Sequence, residues 1–254
     1  MIYNQIIMTI TKSFARFFLL ASLLLVLSSP SSAQKINNQF FKDVDALLSD
    51  RVSNGLVNYK ALKADKRLVS LIDQIGQADI SSADANTKQA FYINAYNLHV
   101  INNVLKSYPT KSVLDEAGFF DSKKIKVANA LITLNELEKD KLLSTYNDAR
   151  YHFVLVCGAI GCPPITNFAY TPVNLEAQLE KQTQIALNNP SFIKHKSGGV
   201  ELSEIFKWYA KDFGSSDANV IKFINKYSNK KIASSATVSY YSYNWKLNDS
   251  STSL

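Results

Sequence analysis

"TKQAFYINAYNLHVINNVLKSYP", residues 87–109, is the most regular stretch of the chain, and the rest has to be arranged around it. Apolar residues recur at helical spacing on almost every side of it (Phe91, Ile93, Ala95, Leu98, Val100, Ile101, Val104, Leu105), which predicts a central helix enclosed by protein. Ser82 and Asp84 are available to cap its start, and Tyr108 with Pro109 stops it. Asn94 and Asn97 fall three apart on one face. Buried amides must find hydrogen-bond partners. Two roles are open to them: tying the helix to neighbouring backbone, or orienting a ligand or a catalytic side chain.

Working outward, residues 36–80 read as helix, short extended segment and helix, broken at "SNGLVNY". Downstream, "KIKV" and "LITL" around "ANA" predict a hairpin, followed by a helix from Leu134 or Asn135 that carries Glu138 and Lys139. "YHFVLV", Tyr151 to Val156, is aromatic and β-branched and apolar on both faces apart from His152, the pattern of a core strand. Thr171 as cap and Pro172 in the first turn start the next helix. "GGVELSEIF" gives a turn and strand running into a helix closed by Gly214, "ANVIKFINKYS" a further helix, and "ATVSYYSYNWKLND" a terminal strand. With no repeat and no linker, the expectation is one compact α+β domain over residues 34–254, helices packed on a small, mostly antiparallel sheet.

Lys12 and Arg16 precede the apolar run Phe17 to Leu27, and "SSPSSAQ" follows, the layout of a secretory signal peptide cleaved after Ala33, with Met1 or Met8 as the start. The run is short for a permanent membrane span. Removing Lys12 and Arg16 takes the formal charge from +7 to +5. The remaining lysines are scattered and lack clustered arginine, so nucleic acid is not an expected partner. The expected location is periplasmic or secreted.

The two cysteines of the chain sit together in "CGAIGC", Cys157 to Cys162. Three states are open to the pair. A disulfide is feasible if the glycines turn the loop back far enough, and an exported chain favours it. A reactive thiol needs a helix amino terminus or a nearby cation, for which Lys139, Arg150 and His152 are candidates. Two inert buried thiols are the third. On an extended strand, five residues would hold His152 roughly 16 Å from Cys157, too far for a simple dyad. Zinc would find too few donors here, and neither a phosphate loop nor a serine elbow occurs, so no metal or cofactor is expected.

Several motifs taken together, "AFYINAYNLHVINNVL", "FFDSKKIKV" with "LITLNELE", "HFVLVCGAIGCPPI" with "AYTPVNLEAQLE", "LSEIFKWYAKDFG" and "YNWKLND", resemble in order and spacing the bacterial exported branch of the domain-of-unknown-function family numbered 547, from about Val57 to Asn248. The resemblance supplies a domain and no established activity. It places the family's paired asparagines on Asn94 and Asn97, its histidine on His152, its loop cysteines on Cys157 and Cys162, and its aromatic helix on Phe206, Trp208 and Tyr209. Where relatives read Ile-Glu-His, this chain has Leu137, Glu138 and Lys139, so the histidine of that motif is missing here and His152 is left as the candidate base.

The leading expectation is a thiol-dependent enzyme for acyl transfer or amide hydrolysis, loosely comparable to papain and transglutaminase by analogy of fold alone. Cys157 would be the nucleophile, His152 the base, and Asn94 or Asn97 the orienting or oxyanion group. The alternative is a non-catalytic envelope binding module. There a Cys157–Cys162 disulfide stiffens a loop beside a polar pocket of Asn94, Asn97 and His152 that takes a small peptide or a thiol. In either case Cys162, Glu138, Arg150 and Trp208 are the expected contacts to a bound molecule. A third reading has an aromatic patch (Trp208, Tyr209, Tyr240, Tyr241, Tyr243, Trp245) meeting a protein partner, against the simpler assignment of those rings to the core.

Overall fold

Most of the long helices begin on a cap that the sequence supplies. The computed structural model describes residues 34–251, so the signal peptide expected at residues 1–33 lies outside the described residues. β1 (Gln34–Lys35) leads to α1 (Asn38–Arg51), whose cap Asn37 accepts from the backbone N–H groups of Gln39 and Phe40. A tight turn joins β2 (Val52–Ser53) to β3 (Leu56–Val57), and one helical turn, α2 (Tyr59–Leu62), follows. Asp65 then caps α3 (Lys66–Gln77), and β4 (Ala78–Asp79) pairs in parallel with β1. Asp84, one of the two expected caps, accepts from the backbone of Thr87 at 2.8 Å and opens α4 (Ala85–Ser107). This is the central helix, and Phe91, Ile93, Leu98 and Val104 on it are fully buried on different sides.

The predicted hairpin forms from β5 (Ile125–Val127) and β6 (Ala130–Ile132). Ala128 and Asn129 both have positive φ, 48° and 64°, the turn whose twist suits two antiparallel strands. Thr133 and Glu136 make a reciprocal capping box, and α5 runs over 134–146 with a wider π turn at Leu137–Leu143. The C-terminal part holds α6 (Leu175–Leu187), β7 (Ile193–Lys196), β8 (Gly199–Ser203), α7 (Ile205–Trp208), α8 (Asp217–Tyr227) and β9 (Thr237–Tyr241). β8 pairs antiparallel with β7 and parallel with β9. The fold is therefore α+β, with small separate sheets in place of a single one.

Three expectations need correction. Thr171 and Pro172 do not start α6: they form a turn before it, and the helix begins at Leu175. The helix expected to run to Gly214 is only Ile205–Trp208, continued by turns up to Gly214 at φ +93°. The largest change concerns "YHFVLV", which is not a strand. Ala149–Phe153 winds as a 3-10 helix capped by Asp148, and the backbone N–H groups of Val154 and Leu155 both donate back to Tyr151. The run is buried, as its composition demands, but a short apolar run does not by itself distinguish strand from helix. The papain comparison needed a strand carrying His152, and among the described residues there is none.

A side chain does the work of the missing neighbour strand. Asn97 Nδ2 donates to Val154 O at 2.9 Å, and Asn97 Oδ1 accepts from Val156 N at 2.9 Å. Asn94 does the same for a second segment, donating to Tyr170 O at 2.7 Å and accepting from Tyr170 N at 3.1 Å. Both amides are buried with their oxygen and nitrogen each engaged, so each ties backbone to α4.

Two hydrophobic clusters result. The larger surrounds α4 and includes Tyr151, Val154 and Val156. The smaller packs Phe153, Phe192, Phe206, Phe213 and Ile224 beside the three-stranded sheet. Cys162 and Trp245 touch both, which marks a seam between them.

Asn97→Ala leaves a buried carbonyl and a buried N–H unpaired and is expected to lower unfolding free energy by about 2–4 kcal/mol, read by urea titration. His99 on the same helix gives a second expectation. Burial, with the Lys106 ammonium adding and a backbone contact to Lys126 opposing, pushes its pKa down to about 4. The unfolded chain takes up this proton as pH falls through about 6.5 and the folded chain does not until about 4. Stability should thus decline across that window by about 3 kcal/mol, and His99→Leu should flatten the decline.

Candidate functional site

The loop 157–162 is held by the backbone of residues 244–248. Ile160 N donates to Lys246 O and Gly161 N to Asn244 O, both at 2.8 Å, and Asn248 N donates to Gly158 O at 3.0 Å. Glycine is required twice. Gly158 sits at φ +82°, and a Cβ on Gly161 would lie 2.9 Å from the backbone of Asn244 and 3.0 Å from the Tyr243 ring. Cys157 and Cys162 are joined in a disulfide, with α-carbons 6.4 Å apart, and no free cysteine occurs among the described residues. The Tyr243 hydroxyl lies against the disulfide, 3.1 Å from the Cys157 sulfur and 2.9 Å from that of Cys162.

Beside this loop is a cavity of about 450 Å³ at the seam between the two clusters. One wall is the disulfide with Tyr243, Trp245 and Trp208, whose rings pack 4.7 to 5.8 Å apart. Trp208 is 46% exposed and stands at the mouth. The facing wall comes from α5, whose π turn carries Glu138 and Lys139, and from Tyr96 on α4. Tyr209 and His152 complete it, their rings 4.0 Å apart, and His152 Nε2 is 2.7 Å from Asp212 Oδ2.

Glu138 is the unusual group. Its carboxyl is buried, and burial pushes its pKa above the ordinary carboxylate value, partly opposed by His152 and by the Tyr209 and Tyr96 hydroxyls. The Tyr96 hydroxyl donates to Glu138 Oε2 at 3.4 Å. A buried carboxyl with a raised pKa in a cavity is a mark of a functional site.

Of the residues singled out in the sequence, Cys157, Cys162, Glu138, His152 and Trp208 line this cavity. The 16 Å argument against bringing His152 and Cys157 together fails, because the backbone between them turns instead of extending. Asn94 and Asn97 do not reach the cavity, so the polar pocket that was to include them is not what forms. Arg150 lies elsewhere, paired with Asp148 and Glu176 at 2.7 and 2.6 Å, and is no cation for the thiol pair. Tyr209, Tyr243 and Trp245 from the aromatic patch do face the cavity, whereas Tyr240 and Tyr241 stay on β9. Sequence reasoning missed Tyr96, Phe120, Asp121 and Asn135 as lining residues and Asp212 as the partner of His152. Tyr96 carried one available signal, its place between Asn94 and Asn97 on a helix with no solvent face.

Glu138 should cost the fold stability at neutral pH. As pH rises past about 4.3, the unfolded chain releases this proton before the folded chain does, so the folded state loses ground. Glu138→Gln is expected to melt above the unsubstituted protein at pH 7.5, with the gap narrowing toward pH 4, by calorimetry.

No curated protein and no solved structure matches the chain. Residues 80–185 match the family model described as a protein of unknown function, DUF547. That segment takes in α4, Glu138, His152 and both cysteines, and it ends before Trp208, Tyr243 and Trp245. Over those residues the chain is accordingly similar to the DUF547 family.

Proposed function

We propose that this chain is an exported, non-catalytic binding module, a member of the family's exported bacterial branch, whose cavity between Glu138 and the Trp208–Tyr243–Trp245 wall takes a small organic ligand. The observation that carries the reading is the Cys157–Cys162 disulfide set into the cavity wall: it occupies both sulfurs and fixes the loop that the ligand would rest on. Three further points support it. The cavity, at about 450 Å³, falls within the ordinary range for small-molecule sites. Asn94 and Asn97, the groups an oxyanion site would have used, are spent on backbone. Export is supported by the leader pattern in residues 1–33 and by a disulfide, which persists in an oxidising compartment.

One observation favours a second reading. His152 is paired with Asp212 and lines the same cavity as Cys157, so reduction of the disulfide would set a thiol near an oriented imidazole. The thiol-dependent hydrolase or acyltransferase then becomes the reduced state's activity.

The two separate on purified protein. Thiols are counted with 5,5′-dithiobis(2-nitrobenzoate) before and after reduction, and hydrolysis of p-nitrophenyl acetate is followed in both states. The binding reading expects no thiols before reduction, two after, and no hydrolysis above background in either state. Hydrolysis that appears on reduction and disappears in Cys157→Ser would establish the enzyme instead.

A further inference from the structure

Building on the binding reading, we infer that the ligand presents an alkylammonium group, a protonated amine on a short carbon chain, held against the Trp208, Tyr243 and Trp245 rings with its charge directed at Glu138. Glu138 is the reason for a cation. A carboxylate withdrawn from water needs a partner, and no lysine or arginine among the described residues forms an ion pair with it. Lys139, its neighbour on α5, lines the cavity and makes no ion pair with it, and His152 is turned to Asp212. The hydrogen bonds that reach Glu138 come from the Tyr96 and Tyr209 hydroxyls, while His152 and Lys139 act on it through charge without forming an ion pair. They orient the carboxylate without neutralising it.

The rings are the reason for an organic cation over a hydrated metal. Two indoles and a phenol pack within 4.7 to 5.8 Å of one another on one side of the cavity. Aromatic faces attract cations electrostatically, indole most strongly, and they also cover the carbon chain that carries the charge. An anionic ligand would meet Glu138 and Asp121, and a neutral one would bury Glu138 further without compensating it. An alkylammonium satisfies the carboxylate through its N–H donors and the rings through both its charge and its methylenes. Its positive charge also offsets the burial that now raises the carboxyl's pKa.

The chain carries its own reporter, because its only two tryptophans, Trp208 and Trp245, both line the cavity. Tryptophan emission is titrated at pH 8 with n-butylammonium, with N-acetyl-lysine methylamide as a peptide-borne form of the same group, and with n-butanol and butyrate as neutral and anionic isosteres. Saturable change with either amine, and binding weaker by about tenfold or more for both isosteres, supports the inference. The tighter amine then tells whether the group comes on a free small molecule or on a peptide. Glu138→Gln should weaken the amine about tenfold while unfolding at or above the temperature of the unsubstituted protein, which separates lost recognition from lost fold. If n-butanol binds as well as n-butylammonium, or if Glu138→Gln binds the amine unchanged, the ammonium assignment is wrong and the binding reading stands. No response to any of the four compounds overturns both.

Discussion

Two buried amides hold the architecture together. Asn94 and Asn97 project from a helix that is apolar on nearly every side, and each presents a donor and an acceptor to one stretch of irregular backbone. Without them, the carbonyl of Val154, the N–H of Val156 and both backbone groups of Tyr170 would lose these partners, at a cost that a domain of marginal stability does not carry easily. With them, a buried segment needs no neighbouring strand. That is why "YHFVLV" can be as apolar as a core strand and yet turn, and why His152 and Cys157 arrive at one cavity instead of opposite ends of an extended segment.

The cavity lies where the two hydrophobic clusters meet, so its walls come from parts of the chain far apart in sequence: α4, the π turn of α5, the loop 157–162, the α7 region and the segment 243–245. The C-terminal segment matters as much as the central helix. It hydrogen-bonds along the cysteine loop and approaches Gly161 so closely that a methyl group would not fit. Through that contact Tyr243 and Trp245 stand against the disulfide. Glu138 completes the site at a local energetic disadvantage, since a carboxyl held out of water favours the unfolded chain at neutral pH. A position that opposes folding in this way is better understood through what it binds than through what it stabilises.

The central helix, its Asp84 cap, the "ANA" hairpin and the buried character of residues 151–156 were all legible in the sequence, because each follows from local rules: periodicity, capping chemistry, turn residues and apolar content. The resemblance to the DUF547 family was legible too, from five motifs in order. Local rules failed where partners were remote. Whether residues 151–156 extend or turn depends on Asn97, and whether the cysteines stay free depends on a loop folded against residues 244–248. Whether Arg150 faces a thiol or two carboxylates depends on Glu176.

By itself, then, the sequence determined the domain class, the buried helix and the group of residues within which a site had to lie, since composition and spacing act over one or two turns of chain. The tertiary structure alone decided that the two sulfurs are bonded to each other, that the asparagines serve backbone, and that a buried carboxyl shares a cavity with two tryptophans. Those facts depend on contacts between segments tens to more than a hundred residues apart, and no local pattern encodes the distance between them.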